Sequence, residues 1–224
     1  VRRDYLIIGA CQGIAAVATI AALRWLATYV DPETFGRFTL FQSVVSAGTL
    51  FFISWPNAAL LRFGREEWTR DRRIGATLAA RVALFAGCAA LAITFAWLAD
   101  PWLRTLLRTT RSPFPWIAAG LIAMPAAELA IYVNQATGRS DVYGYSPAVT
   151  RIGFFAGVMA IPFLGRGVEW TYLAACLVAA TATAAGVSVA LLPRTAWSGF
   201  ALSSSTVATL LRYSWSLPLA AFST

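Results

Sequence analysis

The chain has 224 residues, of which 58% are apolar and only 12% are charged, and it carries a net charge of +8 at pH 7. This charged share is about half that of soluble domains, so a disulfide scaffold, a disordered tail and a nucleic-acid module are poor fits. No His is present, which excludes imidazole catalysis and His-ligated metal sites. The cysteines Cys11, Cys88 and Cys176 lie singly within apolar runs, as packing residues do.

Six segments of the chain are long enough to cross a membrane. Four are uncharged runs of 18 to 24 residues, and two more contain one charge each, Glu128 and Arg151. About 20 residues of helix, at about 1.5 Å each, cross a hydrocarbon core of about 30 Å. The sequence therefore predicts an all-α integral membrane protein, a lobe of six transmembrane helices at about residues 6–29, 38–58, 81–99, 115–135, 145–164 and 170–192.

Arginine supplies all 18 positive charges, and its distribution predicts the orientation of the spans. With the N-terminus inside, the cytoplasmic segments and the adjoining span ends hold 12 arginines, and Arg24 lies within a span. The positive-inside rule thus predicts a multi-pass membrane protein with a cytoplasmic N-terminus. The outer segments hold only five arginines: Arg37, Arg104, Arg108, Arg111 and Arg166.

Two connecting segments have a composition of their own. Residues 100–111 begin with Asp100 and Pro101 and repeat Arg at helical spacing, which predicts a short amphipathic helix on the outer surface. Its arginines either pair with lipid phosphates or guide a substrate headgroup. The inner loop from Arg62 to Arg81 is the most charged stretch, and we expect its main role to be topological.

The end of the chain predicts a second unit. Residues 195–211 are uncharged and rich in Ser and Thr, which favours an inter-lobe linker after a six-helix lobe at 1–194. A new apolar run in 212–224 stops after 12 residues, and the chain begins with Val1 instead of Met. We therefore expect a fragment of a longer protein that ends in the truncated start of a seventh helix.

Inserting a charged residue at the centre of a membrane span costs about 2.5 to 3.5 kcal/mol of free energy. A charged residue there is therefore expected to have a structural or functional role. Arg24 shares a helix face with small residues, which suits a packed or cavity-lining side; the alternative is that it extends to the interface beside Trp25. Glu128 lies on one stripe with Pro125, Tyr132 and Gln135. It either exchanges a proton or sodium ion or makes a static contact with a neighbouring helix.

Uncharged polar residues and two glycine pairs are the remaining notable residues of the predicted spans. Gln12 and Asn57 are candidate translocation residues, although such residues more often join helices. The pairs Gly9/Gly13 and Gly153/Gly157 have G-x-x-x-G spacing, which predicts close helix packing. No D-x-D, phosphate loop or nucleophile motif is present, so the sequence predicts no catalytic residues, no metal site, no cofactor and no enzyme activity.

The turn after span one has the sequence A-T-Y-V-D-P-E-T-F-G-R-F at 27–38, which resembles an L-G-P-E-E-F-G-R-Y type signature with Asp31 in place of the usual Gly. This signature is typical of polysaccharide biosynthesis flippases, the lipid-linked oligosaccharide (O-antigen) exporters of the multidrug/oligosaccharidyl-lipid/polysaccharide superfamily. The family often has an Arg where this chain has Thr28, and Arg24 lies one turn earlier. N-A-A-L-L-R-F-G at 57–64, N-Q-A-T-G-R at 134–139 and L-L-R-Y-S-W-S-L-P-L at 210–219 are similar to further family segments.

The resemblance implies a transporter of two six-helix lobes around a central cavity, of which this chain is the first lobe and the start of the second. It implies movement of undecaprenyl-diphosphate-linked oligosaccharide from the inner to the outer leaflet, coupled to H⁺ or Na⁺. Arg24 is then expected to contact the diphosphate or first sugar, and Glu128 to tune or couple that contact. Gln12, Asn57 and Gln135 complete the expected translocation residues.

Three alternatives stay open at this point. The first is a drug or cation antiporter of the same superfamily, which needs acidic and aromatic cavity residues. The second is a membrane glycosyltransferase or polymerase, disfavoured because the chain has no His and few acidic residues. The third is a non-catalytic scaffold in a polysaccharide assembly complex.

Overall fold

A computed structural model describes residues 2–139, 141–164 and 168–221, and the regular structure in those ranges is helical. The protein is therefore all-α, as predicted. Five helices are long and apolar enough to span a membrane: Tyr5–Tyr29, Gly75–Leu98, Phe114–Ala136, Val142–Phe163 and Trp170–Ala190. The helices in chain order are α1 (Arg2–Tyr29), α2 (Pro32–Gly48), α3 (Asn57–Asp71), α4 (Gly75–Leu98), α5 (Asp100–Leu106), α6 (Phe114–Ala136), α7 (Val142–Met159), α8 (Trp170–Ala190) and α9 (Ser204–Ala221). These features indicate a membrane protein.

The segment expected to form the second span is irregular. α2 has 17 residues, and a π-helix at Thr49–Ser54 continues it towards α3. Pro56, which has no amide hydrogen to donate, then precedes Asn57, the first residue of α3. The length of its regular helix therefore does not identify this segment as a span, and the count of six spans stays a prediction.

The structure also sets the boundaries of the predicted connecting segments. α5 forms where the short outer helix was expected, but it ends at Leu106, before Arg108 and Arg111. α9 begins at Ser204, so residues 204–211 of the predicted linker are helical. The division into lobe, linker and second lobe stays a prediction, and Arg166 and residues 222–224 lie outside the described residues.

Close packing around α6, α7 and α8 forms the core. α7 packs between α1 and α8, and α8 packs between α7 and α6. A Cβ atom on Gly157 would lie 2.7 Å from the Cys176 sulfur, and one on Gly153 would lie 3.1 Å from Ala180, so this glycine pair packs closely as predicted. A Cβ atom on Gly9 or Gly13 would meet nothing within 4 Å. The prediction for that pair is therefore wrong among the described residues, and its face of α1 is open.

α2 joins this core through aromatic contacts. The rings of Phe38 and Phe154 are stacked with centroids 5.6 Å apart and 8° between their planes, which fixes α2 against α7. The ring of Phe41 lies 5.9 Å from that of Trp170 at the start of α8. These contacts hold α2 beside the membrane-spanning helices although its own regular helix is short.

The start of α4 is held by α3. The Glu67 carboxylate accepts hydrogen bonds from the backbone amides of Ala76 and Thr77 at 3.1 and 3.0 Å. These are first-turn amides without partners inside the helix, and the negative charge suits the helix N-terminus. Gly75 also lies against the backbone of Ser198 and Gly199, where a Cβ atom would come within 2.4 Å. These contacts hold the first turn of α4, and Arg81 follows less than two turns later.

Candidate functional site

Three polar side chains from three helices meet between α3, α4 and α6. Arg81 of α4 is fully buried, and its Nε and Nη2 atoms donate to the Asn57 side-chain oxygen at 3.1 and 2.7 Å. The Asn57 amide nitrogen donates to Glu128 Oε2 of α6 at 3.3 Å. We call Asn57, Arg81 and Glu128 the intramembrane cluster. Asn57 thus links a basic side chain to an acidic one through hydrogen bonds.

The cluster lies at membrane depth. Arg81 follows Gly75 by six residues, and Glu128 precedes Ala136, the last residue of α6, by eight. These separations correspond to about 9 and 12 Å along the two helix axes. α4 and α6 run in opposite directions, so both groups lie at similar depth from the same membrane face. A single charge at this depth is costly, and a compensated set with hydrogen bonds is the usual solution.

The irregular end of α2 explains how Asn57 reaches the cluster. The π-helix and Pro56 interrupt the regular α-helix after α2, and α3 starts at Asn57. Asn57 is buried at this junction, where its amide has both a donor and an acceptor to satisfy. A single π-helical turn inside a helical segment is common at functional sites.

A second polar feature is a crevice between α1, α2 and α7. It has a volume of about 80 Å³, and its polar lining residues are Thr19, Thr39, Gln42 and Arg151. Arg151 is exposed, and it lies nine residues after Val142 and 12 before Phe163. These distances are about 14 and 18 Å along the helix, so Arg151 is near the middle of its span. We call this feature the Arg151 crevice.

The predicted site residues do not form one site. Asn57 and Glu128 come together in the intramembrane cluster, while Gln135 is half-buried on α6 and takes no part in that cluster. Gln12 is exposed on α1 and precedes Thr19 by seven residues, which places it within about 20° of the crevice side. Arg24 is also exposed, but it follows Thr19 by five residues and so faces about 140° away.

The sequence did not predict site roles for two arginines that the structure places in the polar features, Arg81 in the intramembrane cluster and Arg151 in the Arg151 crevice. Arg81 was assigned to the charged inner loop because it borders that loop, yet it is buried in α4. Arg151 was counted with the cytoplasmic span ends, yet it is near the middle of α7. The available signal was the position of Arg151 inside an otherwise apolar run; no pattern in the sequence pairs Arg81 with Asn57.

A third polar group ties the ends of α6 and α8 together. The buried Asn134 amide donates to the Ser188 carbonyl oxygen at 2.8 Å. Arg139 donates to the Leu191 carbonyl oxygen and to both carboxylate oxygens of Asp141, each at 3.1 Å. These hydrogen bonds from Arg139 lower the pKa of the Asp141 carboxyl. The predicted segment N-Q-A-T-G-R thus forms a helix end held by its own Asn and Arg.

Comparison of the chain with protein-family models, with curated proteins and with solved structures finds no match. The functional argument therefore depends on the chain's own residues. Among the described residues, no group of three or more Cys, Asp and Glu side chains is placed to hold a metal ion.

Proposed function

We propose that this chain is the first lobe of a membrane transporter that moves undecaprenyl-diphosphate-linked oligosaccharide from the inner to the outer leaflet. The observation that carries the proposal is the exposed Arg151 in the middle of α7. A guanidinium at that depth is unfavourable against lipid, so this side of the lobe is expected to face a water-filled cavity. Thr39 and Gln42 also line the crevice and add polar groups to a lining in which six of the ten residues are apolar.

The charge of the crevice favours an anionic substrate group. A guanidinium binds two phosphate oxygens at once through its planar fork, so Arg151 suits a diphosphate. A drug or cation antiporter needs a negative cavity, and Arg151 repels an organic cation. The resemblance of residues 27–38 and 57–64 to the flippase segments supports the same choice, because these segments flank α2, which lines the crevice.

The intramembrane cluster has a separate role in the proposal. Asn57 holds Glu128 next to Arg81, so the carboxylate has a fixed counter-charge. Coupling to H⁺ or Na⁺ then takes place at Glu128, which is only half-buried. We place the N-terminus in the cytoplasm and the chain in the bacterial inner membrane, and no enzyme activity is part of the proposal.

Translocation of a labelled lipid-linked oligosaccharide by the full-length protein in vesicles tests the proposal. We expect Arg151→Ala to lower the rate at least about tenfold, since a charge-assisted hydrogen bond contributes about 1.5 to 3 kcal/mol. Arg65→Ala is the matched control, because Arg65 is an exposed arginine of α3 outside the predicted spans. Normal translocation by Arg151→Ala, or no translocation by the wild type, contradicts the proposal.

A further inference from the structure

A cationic pocket lies on the opposite membrane face from the start of α4. It is formed by the first turns of α2, the loop between α5 and α6, and the beginning of α8, and its volume is about 450 Å³. None of its residues belongs to the intramembrane cluster or the Arg151 crevice. We call it the Arg108 pocket, and its lining residues are Thr34, Arg37, Arg108, Thr109, Thr110, Arg111, Val168, Glu169 and Trp170.

The loop that supplies two of the arginines is built around Asp100. Its carboxylate accepts hydrogen bonds from Arg104 Nε at 2.7 Å and from the Ser112 hydroxyl at 2.6 Å. The buried Asp100 carboxylate therefore binds both α5, through Arg104, and the end of the loop, through Ser112. The Thr109 hydroxyl adds a local turn by donating to the Arg111 carbonyl oxygen at 3.3 Å. This loop has a defined shape, and the positions of Arg108 and Arg111 in the pocket follow from it.

Arg108 occupies a backbone conformation that favours glycine. Its φ is +47°, in the left-handed region that disfavours residues with a Cβ atom. This conformation ends α5: the Thr109 amide donates to the Arg104 carbonyl oxygen at 3.0 Å and the Arg108 amide to the Thr105 carbonyl oxygen at 3.2 Å. The helix end therefore sets the direction in which the chain enters the loop and places Arg108 at the pocket.

The three guanidinium groups of the pocket have more donors than nearby acceptors. Arg37 pairs with Glu33 through Nη2, but its Nε is buried and no described group accepts from it. Arg111 lies 3.7 Å from Glu169, a long contact between two exposed side chains. Arg108 has no acidic partner among the described residues. The pocket thus carries positive charge and free hydrogen-bond donors.

We propose that the Arg108 pocket is a binding site for a phosphate group. Several guanidinium groups around one cavity match the geometry of phosphate oxygens, and Thr34 and Thr110 add hydroxyls. The pocket lies beside the first residue of a membrane-spanning helix, Trp170, at the level where lipid phosphates are found. The phosphate is therefore expected on a membrane lipid, and a soluble phosphate has the same chemistry. This site does not depend on the transport proposal.

Native mass spectrometry of the full-length protein in detergent tests the site with two probes, phosphatidylglycerol and inorganic pyrophosphate. We expect the wild type to bind one molecule of at least one probe. Arg108→Gly should weaken that binding at least about tenfold, because it removes charge-assisted hydrogen bonds to the phosphate. It should not lower the melting temperature, because glycine relieves the left-handed backbone. A purely structural role for Arg108 does not predict this combination.

Control variants and the two probes separate the outcomes. Arg65→Ala removes the same charge from an exposed site on α3 and should bind both probes like the wild type. Binding of the lipid alone assigns a lipid phosphate, and binding of pyrophosphate alone assigns a soluble one. The proposal is overturned if the wild type binds neither probe, if Arg108→Gly binds as tightly as the wild type, or if Arg65→Ala loses as much affinity.

Discussion

Asn57 is the residue on which the intramembrane cluster depends, because its single amide contacts both charges. We expect Asn57→Ala to lower the free energy of unfolding by about 1.5 to 3 kcal/mol, the range for hydrogen bonds to charged groups. The reason is that Arg81, which is fully buried, loses the acceptor of two of its hydrogen bonds. Thermal unfolding in detergent measures the change. Gln12→Ala, an exposed polar residue in a span, is the control and should change stability little.

Asp100, which lies outside the membrane spans, is expected to make the stability of the fold depend on pH. Burial raises the pKa of its carboxyl, but hydrogen bonds from Ser112 and Arg104 outweigh burial, so the net pKa is lowered. A lowered pKa means that this carboxylate stabilises the fold above its usual pKa of about 3.9 and loses that contribution as the pH falls through the folded-state pKa.

We therefore expect the melting temperature to fall on acidification below about pH 4, and Asp100→Asn to reduce the size of that fall. Melting curves of both proteins between neutral and acidic pH measure the effect. Asp71→Asn, an exposed residue of α3, is the control and should keep the acid dependence of the wild type. An Asp100→Asn variant with an unchanged acid dependence contradicts the assignment.

At the scale of elements, the two G-x-x-x-G pairs provide a matched comparison. Gly157 faces α8 with no room for a side chain, whereas Gly13 faces open space in the described structure. We expect Gly157→Leu to destabilise the fold by about 1 to 3 kcal/mol, the usual cost of overpacking, and Gly13→Leu to change stability little. Unfolding of both variants in the same detergent gives the comparison. Equal destabilisation of the two variants contradicts the packing of α7 against α8.

The spans themselves were largely predictable because bilayer thickness sets a minimum apolar length. Apolar runs in the sequence correspond to α1, α4, α6, α7 and α8. The π-helix between Gly48 and Trp55 was not predictable, since apolar residues and Pro56 fit either a straight or an interrupted helix. Asn57 and Glu128 stood out because they are polar residues in apolar surroundings. Their partner Arg81 did not, because its burial depends on how α3, α4 and α6 pack.

α2 connects the two polar features of the lobe. Its residues Thr39 and Gln42 line the Arg151 crevice, and the π-helix that follows it leads to Asn57 in the intramembrane cluster. In the proposed transporter, α2 would therefore be the element that contacts both features.

At the scale of the whole molecule, the arginine distribution predicts which side of the membrane each connecting segment faces. α4 separates the charged segment of α3 from the α5–α6 loop, so these two regions must lie on opposite sides of the membrane if α4 crosses it. The greater number of arginines around α3 predicts that this side faces the cytoplasm.

Thr69 of α3 and Thr110 of the α5–α6 loop are exposed and serve as labelling positions. In a background with Cys11, Cys88 and Cys176 replaced by Ala, we expect Thr110→Cys to react with a membrane-impermeant maleimide on intact cells. Thr69→Cys should react only after permeabilisation. The reverse pattern contradicts the orientation but keeps α4 as a span. Labelling of both positions on intact cells contradicts the span itself, and with it the membrane depth of Arg81.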